Sequence, residues 1–483
     1  MPTVHVCRRW LPMAVPGLVM LGLGLFEATR PVLSWDEVAT ADVAHRTAGQ
    51  IAGLLPHIDG VFGPYYLLMH VWTAVFGASV LSLRLPSILA MAGAAALTGE
   101  LGRRLFGAPA GVLAGLLLCL VPNMSRYAAE ARPYAMVCFF SVLALLLLHR
   151  VIDRPSPGRW AWYGAAVLAV GLSSIVAMVV LTGHLALLLV RRRALLLPWS
   201  LVALVPLVAL TPLIWWGLHQ RAAQLHWVTP VTLGAVYAFP ARLTGSTEVA
   251  WLLIGLFLVA VLARARAVAG MALVALAPAA AVLAVSATGT SFWVIRYLLF
   301  VLIPAAVVAA AGLTRLAGDR RWPGLAVALA VPLGVVAAAA VPGQIAVRQP
   351  NVKNGSDYRA MAALIRKRQQ AGDDIVLQKG RQMRAGLDYY LRGDRGRPRD
   401  VLESRSAART HTLIAEEFPD AAARLATATR IWLVVAGHPK DAASDRPDLE
   451  RLLHADFERA AQWTVSRGTL ALYIRRATVA PTG

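Results

Sequence analysis

Cysteine and charged residues are scarce in this chain. Only three of its 483 residues are cysteines, namely Cys7, Cys119 and Cys138. None lies in the polar C-terminal part, so no disulfide is expected to stabilise that part. Charged residues make up 15% of the chain and hydrophobic residues 58%, with a mean hydropathy of +0.60. This composition is typical of a polytopic α-helical membrane protein.

Acidic residues are few, and the motifs of soluble enzymes are missing. Asp and Glu number 26 against 47 Lys and Arg, which gives a net charge of +21. The arginines stand in short clusters between apolar runs, as the positive-inside rule requires, so no nucleic-acid partner is expected. No Gly-rich phosphate loop, Cys/His metal framework, nucleophile elbow or solenoid repeat occurs.

The arginine clusters predict where the chain turns in the cytoplasm. They lie at 103–104, 149–159, 191–193, 264–266 and 315–321. A span needs about 20 mostly apolar residues. Candidate spans lie at 11–26, 84–101, 109–125, 133–149, 160–174, 175–190, 195–216, 249–263, 268–286, 294–314 and 323–341. The sequence thus predicts about eleven transmembrane helices, with the N-terminus inside and the C-terminus outside.

The N-terminus is predicted to be an uncleaved anchor. Arg8 and Arg9 precede the apolar stretch 11–26. No small-residue cleavage site follows at 27–30, which disfavours the alternative of a signal peptide.

The apolar run 61–77 is predicted not to cross the membrane. Two spans already connect the cytoplasmic clusters at 8–9 and 103–104, so a third would break the inside-outside alternation. The run is also short for a span, and we interpret it as an interfacial or re-entrant helix. The stretch 27–83 then forms one large external loop of a transmembrane domain over 1–342.

The composition changes after residue 343 to frequent Arg, Asp, Glu and Gln. A helix-like stretch at 357–370 is accompanied by strand-like runs at 374–377, 431–435 and 470–474. We predict a small extracytoplasmic α/β domain over 343–483. It contains no recognisable catalytic constellation.

Polar features recur at the predicted outer membrane boundary. They are the pair Asp36-Glu37, Arg84, the segment 125–134 with Arg126, Glu130 and Arg132, and Arg296, which is predicted to lie just inside a helix that starts near Phe292. Such recurrence indicates a functional site, because ionisable groups near the membrane are costly. The alternatives are a solvated carboxylate pair, arginines that reach to lipid headgroups, and local ion pairs.

Carboxylates and arginines at such a boundary suit the transfer of a sugar from a lipid phosphate. Arginines would neutralise the phosphate as it departs. A carboxylate would accept the proton from an acceptor hydroxyl that attacks the anomeric carbon.

Several segments together resemble a known family. After Asp36-Glu37 come GPYYLL at 63–68, RLPS at 84–87, GRRLFG at 102–107 and YAAEARPY at 127–134. This ordered series is similar to the GT-C superfamily of membrane glycosyltransferases. More narrowly, it resembles the dolichyl-phosphate-mannose protein mannosyltransferase family and its bacterial relatives, which include aminoarabinose transferases. The resemblance is dense over 30–150 and thinner to 342.

The resemblance implies a fold, a reaction and roles for residues. It implies a GT-C fold and inverting transfer of a sugar, mannose in the name-giving family, from a polyprenyl phosphate on the extracytoplasmic face. Asp36 would be the general base, with Glu37 beside it as part of the catalytic pair. The donor-site residues would be Arg84, which holds the acidic pair, Arg126, Glu130 and Arg132, which border the donor, and Arg296, which touches the lipid phosphate.

Acceptor and metal stay open. At 57–64 the sequence reads HIDGVFGP where many relatives carry His-Pro-Pro, so the acceptor is not implied. Asp36, Glu37 and Glu130 offer oxygen ligands to Mg²⁺ or Mn²⁺, but arginines neutralise phosphate unaided, and we expect no metal. Five histidines in or near the external segments lack metal-ligand spacing and are interpreted as structural: His45, His57, His70, His219 and His226.

The resulting hypothesis is a multi-pass cell-membrane glycosyltransferase. Its partners would be a polyprenyl-phosphate sugar donor, membrane lipid, and a protein, lipid or glycan acceptor. The alternative is a transporter or flippase of a polyprenyl-linked sugar, which would favour polar groups near the bilayer midplane, interrupted helices and paired repeats in the two halves. A non-catalytic scaffold would leave Asp36 and the outer arginines without a role. The C-terminal domain would cap the site or bind acceptor or cell-wall glycan.

Overall fold

The computed structural model describes residues 3–262, 265–289, 291–318, 324–380 and 382–477, with side chains from residue 10 onward except residue 325. Parts of the predicted cytoplasmic clusters lie outside the described residues, namely Arg264, Arg320 and Arg321 and the side chains of Arg8 and Arg9. The Cys7 side chain lies outside them too, and Cys119 and Cys138 are buried thiols without a disulfide.

The chain divides into two compact units. The first contains Met1–Ala28, Asp59–Tyr65 and Leu81–Gln349. The second contains Thr29–Ile58, Tyr66–Val80 and Pro350–Gly483. The stretch 27–83, predicted to be one loop of the transmembrane domain, therefore contributes to both units.

Helices account for most of the described chain. They are α1 (Thr3–Leu25), α2 (Trp35–Ala44), α3 (Ala48–Leu54), α4 (Gly63–Phe76), α5 (Val80–Phe106), α6 (Ala108–Leu120), α7 (Pro122–Ala128), α8 (Tyr134–Asp153), α9 (Pro157–Ser173), α10 (Val180–Arg191), α11 (Leu196–Ala209), α12 (Thr211–Leu225), α13 (Leu233–Tyr237), α14 (Phe239–Thr244), α15 (Thr247–Leu262), α16 (Arg266–Ala287), α17 (Leu302–Ala317), α18 (Gly324–Ala346), α19 (Tyr358–Arg368), α20 (Met383–Leu391), α21 (Ala421–Arg424) and α22 (Glu450–Asp456). Short 3₁₀ turns lie at Gly60–Phe62, Val176–Val179, Arg193–Leu195, Ile295–Tyr297, Leu299–Val301 and Ala442–Asp445.

Several of these helices suit a bilayer. Within the described residues, five are long and apolar enough to cross a membrane: Val80–Phe106, Tyr134–Asp153, Arg266–Ala287, Leu299–Ala317 and Ala326–Ala346. Two bent pairs would raise the number to seven, and shorter apolar helices lie at Trp10–Leu25, Val176–Arg191 and Thr247–Leu262. The predicted number of about eleven spans depends on counting shorter helices as well. Helix α4 has 14 residues, short for a span as predicted.

The two bends occur where the sequence supplies proline. Helices α6 and α7 meet at an angle of 72°, and α7 begins at Pro122. Helices α11 and α12 meet at 61°, and Pro212 stands in the first turn of α12. Proline lacks an amide hydrogen and fits the first turn of a new helix, so it starts a helix where it would interrupt a continuing one.

The first unit packs its helices closely where glycine allows it. Helices α15 and α17 approach so near that a Cβ on Gly312 would lie 2.0 Å from the Leu256 carbonyl oxygen. Small residues permit such approach between membrane helices, which have no hydrophobic driving force between them in lipid.

The second unit contains the predicted α/β domain. Its sheet has the order β2-β1-β5-β7-β6. The strands are β1 (Asp374–Leu377), β2 (Arg399–Asp400), β5 (Arg430–Ala436), β6 (Phe457–Val465) and β7 (Gly468–Arg475), and a separate two-stranded sheet pairs β3 (Glu403–Arg405) with β4 (Glu416–Glu417). Strand β1 runs parallel to β2 and β5, whereas β7 is antiparallel to β5 and β6. One core of buried apolar residues includes Val376 and Leu433 of the sheet and Leu453 of α22.

Besides the bends, which divide the predicted spans 109–125 and 195–216, two elements differ from the prediction in ways that bear on the site. The predicted helix 294–314 begins only at Leu302, and Arg296 lies in a 3₁₀ turn. Just before this segment, Ser286 Oγ accepts from the Phe292 amide at 2.9 Å and Ser291 Oγ lies 3.4 Å from the Trp293 amide, so hydroxyls serve amides that a longer helix would use. Strand β6 was not predicted, because its sequence, FERAAQWTV, contains too many charged and small residues to give a β pattern.

Candidate functional site

The predicted acidic pair opens helix α2. Ser34 is its N-cap: its Oγ accepts a hydrogen bond from the Glu37 amide at 3.2 Å, and its own amide donates to Glu37 Oε2 at 3.0 Å. This capping box fixes where the helix begins. Asp36 therefore stands in the first turn, where the helix dipole stabilises a carboxylate, and its side chain is half-buried.

Glu37 is fully buried, and its charge is paired with Lys353. The Lys353 Nζ atom lies 2.9 Å from Glu37 Oε2, and the two side chains are 2% and 0% exposed. Both residues belong to the second unit. Sequence reasoning missed Lys353. The only signal was a lysine in a chain whose basic residues are nearly all arginine, and that signal does not identify a partner.

The two predicted catalytic carboxylates thus occupy different environments. The Glu37 carboxylate accepts hydrogen bonds from the Ser34 amide of the capping box and from the Lys353 ammonium. Glu37 is also buried, whereas Asp36 is only half-buried. A carboxylate that accepts a proton during turnover must be reachable by the substrate, so the arrangement suits Asp36 for proton transfer and Glu37 for holding the helix end.

The other end of α2 carries His45. Its Nδ1 lies 3.0 Å from the Ala41 carbonyl oxygen. Burial lowers the pKa of His45, and the positive charge of Arg392 lowers it further. Each of the five histidines interpreted as structural has Nδ1 within hydrogen-bonding distance of a backbone carbonyl: His45, His57, His70, His219 and His226.

In the first unit, Arg84 is fully buried near the start of α5. Its Nη1 donates to the Ala28 carbonyl oxygen at 2.6 Å. One turn later, Ser87 Oγ donates to the Arg132 carbonyl oxygen at 3.1 Å. Helix α5 therefore holds the turn between α7 and α8 in place. That Arg84 holds the acidic pair stays a prediction.

That turn contains Glu130 and Arg132, both buried. The Arg132 amide donates to the Glu130 carbonyl oxygen at 2.8 Å. The Arg132 guanidinium carbon lies 4.3 Å from the centre of the Phe62 ring, so the cation stacks on an aromatic face. The ionisable side chains of Glu130 and Arg132 are therefore buried rather than exposed to solvent.

Arg296 and Arg126 also lie against aromatic rings. The Arg296 guanidinium carbon lies 5.0 Å from the Trp227 ring centre and 5.6 Å from that of Tyr134. Arg126 lies 5.5 Å from the Tyr127 ring, and the Tyr127 and Tyr134 rings meet edge to face at 5.6 Å. The aromatic cluster of Tyr127, Tyr134 and Trp227 thus connects two predicted donor-site arginines.

An apolar cavity of about 440 Å³ adjoins these residues. Phe62 and Tyr134, the ring partners of Arg132 and Arg296, line it together with Pro133 and Tyr297. The rest of its wall is mostly aliphatic, with Ser173, Ser174, Arg221 and Gln224 as polar members. A cavity of this size and composition is typical of a ligand site. The guanidinium groups of Arg132 and Arg296 lie against two of the aromatic rings that line it.

The predicted site residues thus fall into two sets. Arg84, Arg126, Glu130, Arg132 and Arg296 belong to the first unit, where the turn and the aromatic rings bring them together. Asp36 and Glu37 belong to the second unit, where Lys353 joins them.

One cluster within the described residues has ligand spacing for a metal. Asp441, Glu450 and His454 bring one ligand atom each within 4.8 Å of one another. However, the Asp441 carboxylate already interacts with the Ala443 amide at 3.1 Å and with His454 Nε2 at 2.7 Å. We assign no metal there.

Known proteins share this sequence pattern and this fold. Residues 63–216 match the family model described as Dolichyl-phosphate-mannose-protein mannosyltransferase, which confirms the predicted resemblance over that part. No curated protein matches the sequence.

The crystal structure of ArnT from Cupriavidus metallidurans bound to undecaprenyl phosphate is similar, with a TM-score of 0.61 and 15% identity over 95% of this chain and 97% of that chain. The archaeal oligosaccharyltransferase AglB from Archaeoglobus fulgidus, in complex with an inhibitory peptide and a dolichol-phosphate, gives a TM-score of 0.51 and 12% identity over 98% of this chain and 74% of that chain. The predicted fold, a helical membrane protein of GT-C type with a small C-terminal α/β domain, is confirmed.

Proposed function

We propose that this membrane protein of GT-C fold is an inverting glycosyltransferase that moves a sugar from a polyprenyl phosphate to a hydroxyl acceptor on the extracytoplasmic face. The observation that carries the proposal is the apolar cavity with Arg132 and Arg296 stacked on the rings of its wall. An apolar cavity suits the isoprenoid chain, and guanidinium groups bind phosphate through several N–H donors.

The proposal also names a candidate sugar and a candidate acceptor. The family model that matches 63–216 is named for a dolichyl-phosphate-mannose donor and a protein acceptor, which supports mannose and protein as first candidates. ArnT is bound to undecaprenyl phosphate and AglB to a dolichol-phosphate, which supports a polyprenyl carrier.

The proposed reaction assigns a role to each charged group. The acceptor hydroxyl oxygen attacks the anomeric carbon on the face opposite the phosphate, and the bond from that carbon to the phosphate oxygen breaks. The phosphate leaves with the electron pair, and Arg126, Arg132 and Arg296 stabilise its charge. The hydroxyl proton passes to the Asp36 carboxylate, which acts as the general base.

The experiment compares wild type with Asp36→Asn for transfer of radiolabelled sugar in membranes. Polyprenyl-phosphate mannose is the first donor, with the arabinose and glucose donors in parallel. We expect transfer by wild type and a loss of about 10²–10⁴-fold in the variant, because asparagine cannot accept the proton.

The matched control is Asp445→Asn, which makes the same change at a half-buried aspartate elsewhere in the second unit. It should retain wild-type transfer. No transfer from any donor, together with movement of the lipid-linked sugar across vesicles, would instead favour the flippase alternative. Equal transfer by wild type and Asp36→Asn would reject Asp36 as the base.

A further inference from the structure

We propose that Lys353 is a positioning residue for the catalytic carboxylate, and that the C-terminal α/β domain supports catalysis by holding Lys353 in place. This inference rests on the proposed function of Asp36. It gives the domain a role besides the capping and acceptor binding considered from the sequence.

The segment 350–357 lies along the entry to helix α2. The Pro350 carbonyl oxygen accepts from the Val32 amide at 3.0 Å, and the Asn354 carbonyl oxygen accepts from the Trp35 amide at 3.0 Å. Between these two bonds, Lys353 reaches Glu37 Oε2 at 2.9 Å. Gly355 has φ +134°, and a Cβ there would lie 3.2 Å from Trp35 Cδ1, so the two segments approach closely. Because Asp36 directly precedes Glu37 in the chain, a contact that holds Glu37 also restricts the position of Asp36.

The same segment is held from its other side by the turn between β6 and β7. Arg467 Nη1 donates to the Lys353 carbonyl oxygen at 2.7 Å, and Ser356 Oγ donates to the Arg467 carbonyl oxygen at 2.7 Å. The Asp357 amide donates to the Ser466 carbonyl oxygen at 3.0 Å. Arg467 adopts φ +55°, an uncommon conformation for a residue with a side chain.

These contacts form a continuous path within the second unit. It runs from the β6–β7 turn through Arg467 to Lys353, then to Glu37 and the first turn of α2. The Lys353 ammonium and Glu37 carboxylate are both withdrawn from water. Removing the ammonium would take this ion pair away from a buried carboxylate, which favours protonation of Glu37 or its withdrawal from the capping box. Either change would weaken the capping box that fixes the first turn of α2, where Asp36 stands.

The experiment measures transfer kinetics and amide hydrogen exchange on the full-length protein for Lys353→Met, Lys353→Arg and Arg467→Ala. A displaced base slows the chemical step, so we expect Lys353→Met to lower kcat by about 10–100-fold with the donor KM unchanged. Lys353→Arg keeps the charge and should restore most of kcat. Arg467→Ala should show a smaller loss in the same direction. Exchange at residues 34–40 should rise in Lys353→Met.

The matched control is Lys379→Met. Lys379 Nζ also pairs with a carboxylate of the second unit, Asp448, at 3.0 Å, but its side chain is 60% exposed. It should leave kcat and exchange at 34–40 unchanged. Unchanged kcat in Lys353→Met, or unchanged exchange at 34–40, would overturn the positioning role. Absence of transfer by wild type would overturn the proposed function alone, since exchange would still report whether Lys353 holds α2.

Discussion

At the scale of single residues, three of the predicted donor-site arginines share one kind of environment. Arg126, Arg132 and Arg296 each lie against an aromatic ring. Their guanidinium carbons are 5.5, 4.3 and 5.0 Å from the ring centres of Tyr127, Phe62 and Trp227, respectively. Stacking uses the face of the guanidinium and directs its N–H donors along the plane. Lysine, a point charge on a flexible chain, cannot reproduce that geometry.

This environment predicts the effect of replacing Arg296. A hydrogen bond to a charged group contributes about 1.5–3 kcal/mol, so Arg296→Gln should raise the KM for the polyprenyl-phosphate donor by about 10–100-fold. The donor KM of Arg296→Lys should lie between those of Arg296→Gln and wild type, because lysine keeps the positive charge but loses the stacking. Donor KM measured at a saturating acceptor concentration tests this.

The control for that prediction is Arg315→Gln. Arg315 is exposed in the last turn of α17, on the helix that follows Arg296 in the chain. It should leave the donor KM unchanged. A kcat loss without a KM change in Arg296→Gln would contradict a phosphate-binding role in the ground state.

At the scale of elements, helix ends and close crossings determine the geometry. The capping box of Ser34 and Glu37 fixes the start of α2, and Pro122 fixes the start of α7 after the bend. Glycine determines how near α15 and α17 can come. Each of these is a single-residue choice that sets the position of a whole element.

The crossing of α15 and α17 predicts a stability change. A Cβ on Gly312 would lie 2.0 Å from the Leu256 carbonyl oxygen, which is backbone and cannot rotate away. Gly312→Ala should therefore separate the helices and lower the free energy of unfolding by about 1–3 kcal/mol, as overpacking does. The thermal unfolding midpoint in detergent measures it.

Gly255→Ala is the matched control on α15. A Cβ there meets nothing within 4 Å, and alanine favours helix over glycine. The midpoint should stay the same or rise. A similar fall in both variants would mean that the loss does not arise from the α15–α17 contact.

At the scale of the whole molecule, the arginine clusters predict an orientation. They place the turn after α8 in the cytoplasm and the C-terminal α/β domain outside. Arg154 is exposed in that turn and Glu458 is exposed on β6, so both positions can carry a labelled cysteine.

We expect Glu458→Cys to react with a membrane-impermeant thiol reagent in intact cells, and Arg154→Cys to react only after permeabilisation. Both variants are made with Cys7→Ser. The remaining cysteines, Cys119 and Cys138, are buried and serve as the background. Labelling of both positions from the same side would reject the predicted topology.

Sequence by itself determined the class of protein and many of its elements. Apolar runs and arginine clusters indicated a polytopic membrane protein, and the strand-like runs at 374–377, 431–435 and 470–474 lie within β1, β5 and β7. These features are local, because hydrophobic length and side-chain alternation are visible in a short window. The ordered motifs likewise indicated the GT-C fold.

Only the tertiary structure decided which distant groups meet. Lys353 and Glu37 are 316 residues apart in the chain, and neither has a local signal that names its partner. The ring contact of Arg132 with Phe62 and the 3₁₀ turn at Arg296 likewise depend on which elements pack together. Charge pairing and stacking act through space, so a linear pattern shows that a charged group needs a partner without showing which one folding provides.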